Sequence, residues 1–376
     1  MNILIAPDSF KGSLSSLEVA RSLECVFSKV FPEAVCRSVP IADGGEGTVE
    51  AFLAALGGER VEVTTQGPLG EELLSFYGRA PGDVAIVEMA ASAGLPLMKE
   101  KAPLEASTYG VGELIRHALE QGAKTILLGL GGSATTDGGA GAAAALGVRF
   151  CRKDGSDFVP TGGTLGEIAS VELEGLHSGL SSCRLVALCD IDNPLLGERG
   201  AARVFSPQKG ATPEEVILLE KGLQHFSSFL PSESRTLPGG GAAGGFGASA
   251  HGLLGATLLA GMEVLFDQSA LETYIQEADI VITGEGKMDA QSLAGKAPVA
   301  IARRARQAGK TVIAFTGNYE GDMEMFFEEG FDALFSIVPG ACTIEEAMNH
   351  AAKNLESTAF SVAQLLRKGV WNDPKK

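Results

Sequence analysis

Apolar residues along this chain follow two spacings, and the switch from one to the other occurs twice. The segment NILIA (2–6) is a continuous apolar run, as expected of a strand covered on both faces. SSLE (15–18) has the residue types of a helix-opening capping box. Leu17, Ala20, Leu23, Val26, Phe27, Val30 and Phe31 then fall on one helical stripe. VCRSVPIAD (35–43) reads as a second strand, and Val49, Phe52, Leu53 and Leu56 mark the helix after it. This β-α-β-α alternation belongs to a parallel sheet with covering helices.

Beyond Gly57-Gly58 the order changes. RVEVTTQ, LLSFYGRA and VAIVEMA follow one another through short turns. Strands so closely spaced predict antiparallel pairing, because parallel neighbours need a crossover. Helical patterns and glycine-rich turns alternate to about residue 275. ADIVITGEG, KTVIAFTG and DALFSIVPG are then three more buried-strand runs, with helices near 293–308 and 320–329 and a closing helical pattern over 344–366. The two ends share one organisation and the middle has another. The pattern predicts a discontinuous three-layer, Rossmann-like α/β domain from residues 1–65 and 276–376. A second α/β domain with glycine-rich turns, 66–275, is inserted into it.

Composition narrows the function. Lys and Arg total 30 against 47 acidic residues, a formal charge of −17, and that field disfavours nucleic acid and anionic membranes. A small anion is still accessible where local lysines reverse the sign. The 49 glycines are roughly twice the usual share of about 7%. They cluster at strand ends, where backbone approaches a ligand or turns tightly. Six cysteines without CxxC spacing read as reduced thiols of a cytoplasmic protein rather than a zinc site or disulfide framework. The chain opens into a strand pattern, with no basic leader and no long apolar span, so neither a signal peptide nor a membrane helix is expected.

Candidate chemistry lies at the carboxyl ends of the predicted strands, where open α/β sheets bind ligands. Asp8, Asp43, Asp190 and Asp192 all occupy such positions. Asp190 and Asp192 are two residues apart, so a continuing strand would point both into one crevice as magnesium or substrate ligands. A lone aspartate there is equally explained as a helix cap. Ser9 and Lys11 lie in the first strand-to-helix turn, where a lysine beside helix amides can hold phosphate or carboxylate. GLGGSATTDGGAG (129–141) offers Gly132, Ser133, Thr135, Thr136 and Asp137 but no lysine. Gln208 and Lys209 stand at a turn before a helix, and Gly244 lies in a second glycine cluster. Glu285, Lys287, Asp289, Gln291 and Lys296 crowd into a loop over another strand end. The catalytic candidates are Asp190, Asp192, Asp43, Lys11 and Lys287; the others are candidates for binding substrate or nucleotide. The G-x-G-x-x-G at 239–244 follows no strand, which excludes a dinucleotide fingerprint, and no Walker A motif occurs. The histidines lie apart from these turns, so a histidine-based triad has no support.

Read together, APDSFKGSLSS, PIADGGEGT, GGSATTDGGAG, CDIDNPLLGERGAA, SPQKGA, GGGAAGG and ITGEGKMDAQSLAGKAP resemble, in their order, the motifs of type I glycerate kinases. The resemblance runs from residue 2 to about 365. Ser206, where glycine would be expected, and GKMD in place of GRID are small departures. The resemblance implies a two-domain fold outside the P-loop class and transfer of phosphate from ATP, with Mg²⁺, to D-glycerate. It further implies 2-phospho-D-glycerate as product, in organic acid catabolism, with 3-phosphoglycerate as the alternative. The expected partners are these small molecules, with the chain acting as a monomer or homodimer. A nicotinamide-dependent dehydrogenase, suggested by GLGGSA alone, lacks a ribose carboxylate and a catalytic histidine. A non-catalytic organic-acid sensor would not need the carboxylate and lysine set.

Overall fold

The computed structural model describes residues 1–42, 44–293 and 296–370, the side chains of Gln291 and Val370 apart. The chain divides into two compact units. One comprises Met1–Asp43, Glu50–Ala55 and Met262–Lys376; the other comprises Gly44–Val49 and Leu56–Gly261.

The first unit is built on a parallel five-stranded sheet. Its strands are β1 (Asn2–Ile5), β2 (Val35–Ser38), β12 (Ile280–Met288), β13 (Thr311–Tyr319) and β14 (Ala333–Ser336), in the order β14-β13-β12-β1-β2. Ile3, Leu4 and Ile5 are buried, as the continuous apolar run requires. The expected capping box is present: Ser15 accepts from the Glu18 backbone, and the Glu18 carboxylate accepts from Ser15. Helix Ser16–Val30 then buries Val19, Ala20, Leu23, Val26, Phe27 and Val30. From β1 the chain moves outward to β2 on one side, while β12, β13 and β14 proceed on the other. The order therefore reverses between β1 and β12, which opens a crevice at their carboxyl ends.

The second unit has a mixed six-stranded sheet. Its strands are β3 (Glu59–Gln66), β4 (Glu72–Ala80), β5 (Val84–Glu88), β6 (Thr125–Gly129), β10 (Arg184–Leu188) and β11 (Thr257–Leu259), in the order β11-β10-β6-β5-β4-β3. A small antiparallel sheet of β7 (Arg149–Cys151), β8 (Asp157–Phe158) and β9 (Ser170–Glu172) belongs to the same unit. Both β3–β4 and β4–β5 are antiparallel, which their short turns allow, whereas β5, β6, β10 and β11 run parallel. Along the chain the unit changes at 43/44, 49/50, 55/56 and 261/262. β3 pairs along its whole length with β4, and helices Gly261–Gln268 and Leu271–Glu277 lie almost entirely in the first unit. Gly239–Gly244 follows a short helix, Ser232–Arg235, so no strand leads into that cluster. Among the described residues no helix is long and apolar enough to cross a membrane.

Candidate active site

In the first unit, polar residues gather at the carboxyl ends of β1 and β12, on either side of the reversal in strand order. Asp8 is buried, accepts the Ser9 N–H at 2.6 Å and donates its own N–H to the Gly284 carbonyl. Gly286 lets the turn after β1 approach, because a Cβ there would lie 3.0 Å from Phe10 Cα and 3.2 Å from Lys11 N. Lys11 itself is exposed. Glu285 is buried, with Lys296 Nζ 3.9 Å from its Oε2. Lys287 is exposed and lies 3.0 Å from Glu320 and 3.4 Å from Asp289. Hydrogen bonds to Glu320 and Asp289 hold its ammonium above the usual lysine range. Asp289 also accepts the Ser292 N–H at the start of the following short helix. Asp43 and the side chain of Gln291 lie outside the described residues.

In the second unit, the glycine-rich turn after β6 rests on two buried charges. Lys209 directs Nζ to Ser133 Oγ at 2.7 Å and to the Thr135 carbonyl at 2.5 Å. Burial pushes this ammonium down to about 7, against a smaller opposing pull from Asp137. Thr135 is also buried, and its Oγ1 has no hydrogen-bond partner among the described residues. Thr136 Oγ1 lies 3.1 Å from Ser206 Oγ, so serine in place of the expected glycine adds a bond behind the turn.

Asp137 is buried and holds the end of the turn. It accepts from the Thr108 N–H and hydroxyl, both at 2.8 Å, and from the Gly139 and Gly141 N–H groups at 3.1 and 3.2 Å. It thereby fixes the start of helix Ala140–Ala145. Burial raises its carboxyl, while bonds from Thr108, Gly139 and Gly141 act the other way. Gly244 packs behind the same turn and accepts the Gly138 N–H. Gln208 has an exposed side chain, and its carbonyl accepts from Lys101.

The two aspartates after β10 do not form a shared pair. β10 ends at Leu188, so strand alternation no longer applies to them. Asp190 accepts the Gly261 N–H at 3.0 Å. Asp192 pairs with Arg199 at 2.6 Å, and both side chains are exposed; that hydrogen bond holds the Asp192 carboxyl below its usual range. Among the described residues no group of three His, Cys, Asp or Glu side chains could hold a metal ion. Two residues of this edge escaped the sequence reading. Thr108 anchors Asp137, and buried Glu88 ends β5 and accepts the Val49 N–H at 3.1 Å. Glu88 had a legible signal, an acid closing the apolar run VAIVE, like Asp8 and Asp190 after theirs.

The comparisons with known proteins agree with one another. The family model for the glycerate kinase family matches residues 3–367. The chain belongs to the glycerate kinase family. It is 44% identical to the Bacillus subtilis glycerate kinase, over 98% of each chain. It is 41% identical to the Escherichia coli glycerate 2-kinase, over 99% of this chain and all of that one. A crystal structure from Salmonella typhimurium LT2, of a protein assigned as glycerate kinase 2, superposes with a TM-score of 0.84 at 43% identity, covering 98% of this chain and 99% of that one. Members of the glycerate kinase family are phosphotransferases that act on an alcohol group, and this chain is such an enzyme. Within it the geometry separates the two aspartates after β10. Asp192→Asn is expected to retain near-wild-type turnover, because an exposed ion pair contributes little. Asp190→Asn is expected to lose most activity while keeping the far-ultraviolet spectrum. Steady-state kinetics on the two purified variants checks this, and equal losses would contradict it.

Proposed function

We propose that this chain transfers the γ-phosphoryl group of ATP to the 2-hydroxyl of D-glycerate, giving ADP and 2-phospho-D-glycerate, in the cytoplasmic catabolism of organic acids. The observation that carries this reading is buried Lys209 beneath a hydroxyl-lined, glycine-rich turn, in a chain of this family. Both substrates are anions, and phosphoryl transfer depends on placing them and spreading positive charge over the phosphate oxygens. The turn supplies backbone amides with Ser133 and Thr135, and an anion seated there favours the charged form of Lys209. Lys11, Lys287 and Lys296 supply further positive charge in the first unit.

In the reaction the glycerate hydroxyl oxygen forms a bond to the γ-phosphorus as the bond to the β-phosphate bridge breaks. The hydroxyl proton passes to a carboxylate, with Asp43 the candidate base. One or two protein carboxylates would help to hold Mg²⁺, which would supply positive charge for the phosphate oxygens. Asp190 has the donor type this requires, whereas Asp192 is committed to Arg199. The six free cysteines suit a reducing compartment.

Incubation with ATP, Mg²⁺ and D-glycerate is expected to release ADP, with little release when glycerol, which has no carboxylate, replaces glycerate. Equal turnover of glycerol would remove carboxylate recognition from the argument. Enolase added alone should convert the product to phosphoenolpyruvate. A requirement for phosphoglycerate mutase before enolase would identify the 3-phosphate instead. The 2-phosphate is favoured by the name of the Escherichia coli relative.

A further inference from the structure

We infer that Glu88 is a positioning residue for the phosphoryl transfer: it pins the turn Gly44–Val49 against the glycine-rich turn after β6, so that two backbone segments form one rigid surface.

Gly44–Val49 belongs to the second unit although the residues on both sides of it belong to the first. The reason is a clasp between glycines. The Gly131 N–H donates to the Gly44 carbonyl at 2.9 Å. A Cβ on Gly129 would lie 2.6 Å from the Gly44 carbonyl oxygen, and one on Gly131 would lie 2.5 Å from Gly45 Cα. On the other side, a Cβ on Gly44 would meet the Leu188 carbonyl, at the end of β10, at 3.1 Å. At the carboxyl ends of β6 and β10 the backbone of one turn lies directly on the backbone of the other.

Backbone contact of this kind fixes the separation but gives little hold against sliding, because glycines carry no side chains to interlock. The hold comes from the ends of the turn. Thr48 donates its hydroxyl to the Gly45 carbonyl at 2.6 Å and closes the turn on itself. Glu88 is 3% exposed and takes the Val49 N–H at 3.1 Å, one of the first amides of helix Thr48–Leu56. A carboxylate at that end also meets the positive end of the helix dipole. Glu88 in turn is set by the sheet, lying opposite Gly129 in the β5–β6 register. One side chain thus ties the turn to the same strand pair that carries the glycine-rich turn.

A catalytic surface made of amides works only while those amides keep their places, and a displacement of about 1 Å can cost on the order of a hundredfold in rate. The inference rests on the kinase reading, and its test separates the two. Hydrogen exchange in peptides covering 44–49 is compared for wild type, Glu88→Ala and Glu88→Gln, alongside kcat and KM for D-glycerate and ATP. Glu88→Ala is expected to speed exchange there and to lower kcat at least about tenfold, with KM changed far less. Glu88→Gln keeps an oxygen for the Val49 N–H and is expected to restore both readouts. If Glu88→Ala does not fold, Thr48→Val removes the hydroxyl bond at nearly constant volume and is expected to act in the same direction. Unchanged exchange at 44–49 in the substituted protein overturns the clasp; faster exchange with wild-type kcat overturns its role in the reaction. Wild-type protein inactive with glycerate would refute the kinase reading, and the exchange comparison would still decide the clasp.

Discussion

Lys209→Met is expected to lower kcat/KM for the anionic substrates about a hundredfold, the scale seen when one preorganised donor to a developing charge is removed. Its bonds to Ser133 Oγ and the Thr135 carbonyl hold the turn proposed to seat the anion. In the wild type, kcat/KM is expected to fall as pH rises above about 7, where buried Lys209 loses its proton, since this ratio reports groups of the free enzyme. That descending limb should vanish in the methionine variant.

Stability is expected to run the other way. Between about 7 and the ordinary lysine value of 10.5, the unfolded chain carries this proton and the folded chain does not. Wild-type stability relative to the variant should therefore rise with pH across that window, by at most about 1.4 kcal/mol per pH unit. This contribution is complete above the unfolded value and is lost as pH falls to about 7. Denaturant titrations of both proteins at several pH values measure it, and parallel curves would show that Lys209 is not buried as described.

The second large effect is expected from Gly244→Ala. Gly244 has φ of +65°, and a Cβ there would lie 2.1 Å from the Thr135 carbonyl oxygen and 2.6 Å from Thr136 Cα. Ala243 beside it tolerates φ of +51°, so the backbone conformation alone does not forbid a side chain. The contact decides. It is backbone against side-chain carbon, with no flexible tip to move away, and the turn it would push is the one Lys209 holds. The left-handed conformation and the overpacking together should cost roughly 2–5 kcal/mol. The urea midpoint should fall, and the fraction that stays folded should turn over slowly because Ser133 to Thr136 are displaced. A variant with unchanged midpoint and turnover would show that the two segments are not in contact.

Much of the fold was legible because its signals are local. The capping box at Ser15, the buried run at Ile3 to Ile5 and the antiparallel strands after Gly58 each depend on residues close in sequence. The cluster at 239–244 was separated from a dinucleotide fingerprint by the same local means, through the absence of a preceding strand. The site was less legible where partners are distant. Asp137 reads as a ligand in its own turn, but its first partner is Thr108, 29 residues earlier. Asp190 and Asp192 matched a strand alternation that stops at Leu188, and nothing local marks that stop.

The parallel pairing of β1 with β12, Ile3 beside Ile280, also has a consequence for synthesis of the chain. On the ribosome β1 emerges first and its neighbour on one side emerges some 277 residues later. For most of translation the apolar strand Asn2–Ile5 has only β2 beside it, and one edge stays unpaired. The mixed sheet, by contrast, draws all its strands from Glu59 to Leu259 and can close before β12 is made. The first unit must therefore complete last, although it begins the chain, and closing so long a loop makes that step slow. A nascent chain stalled before residue 280 carries an exposed apolar edge, the kind of surface that chaperones hold and that aggregates when they do not.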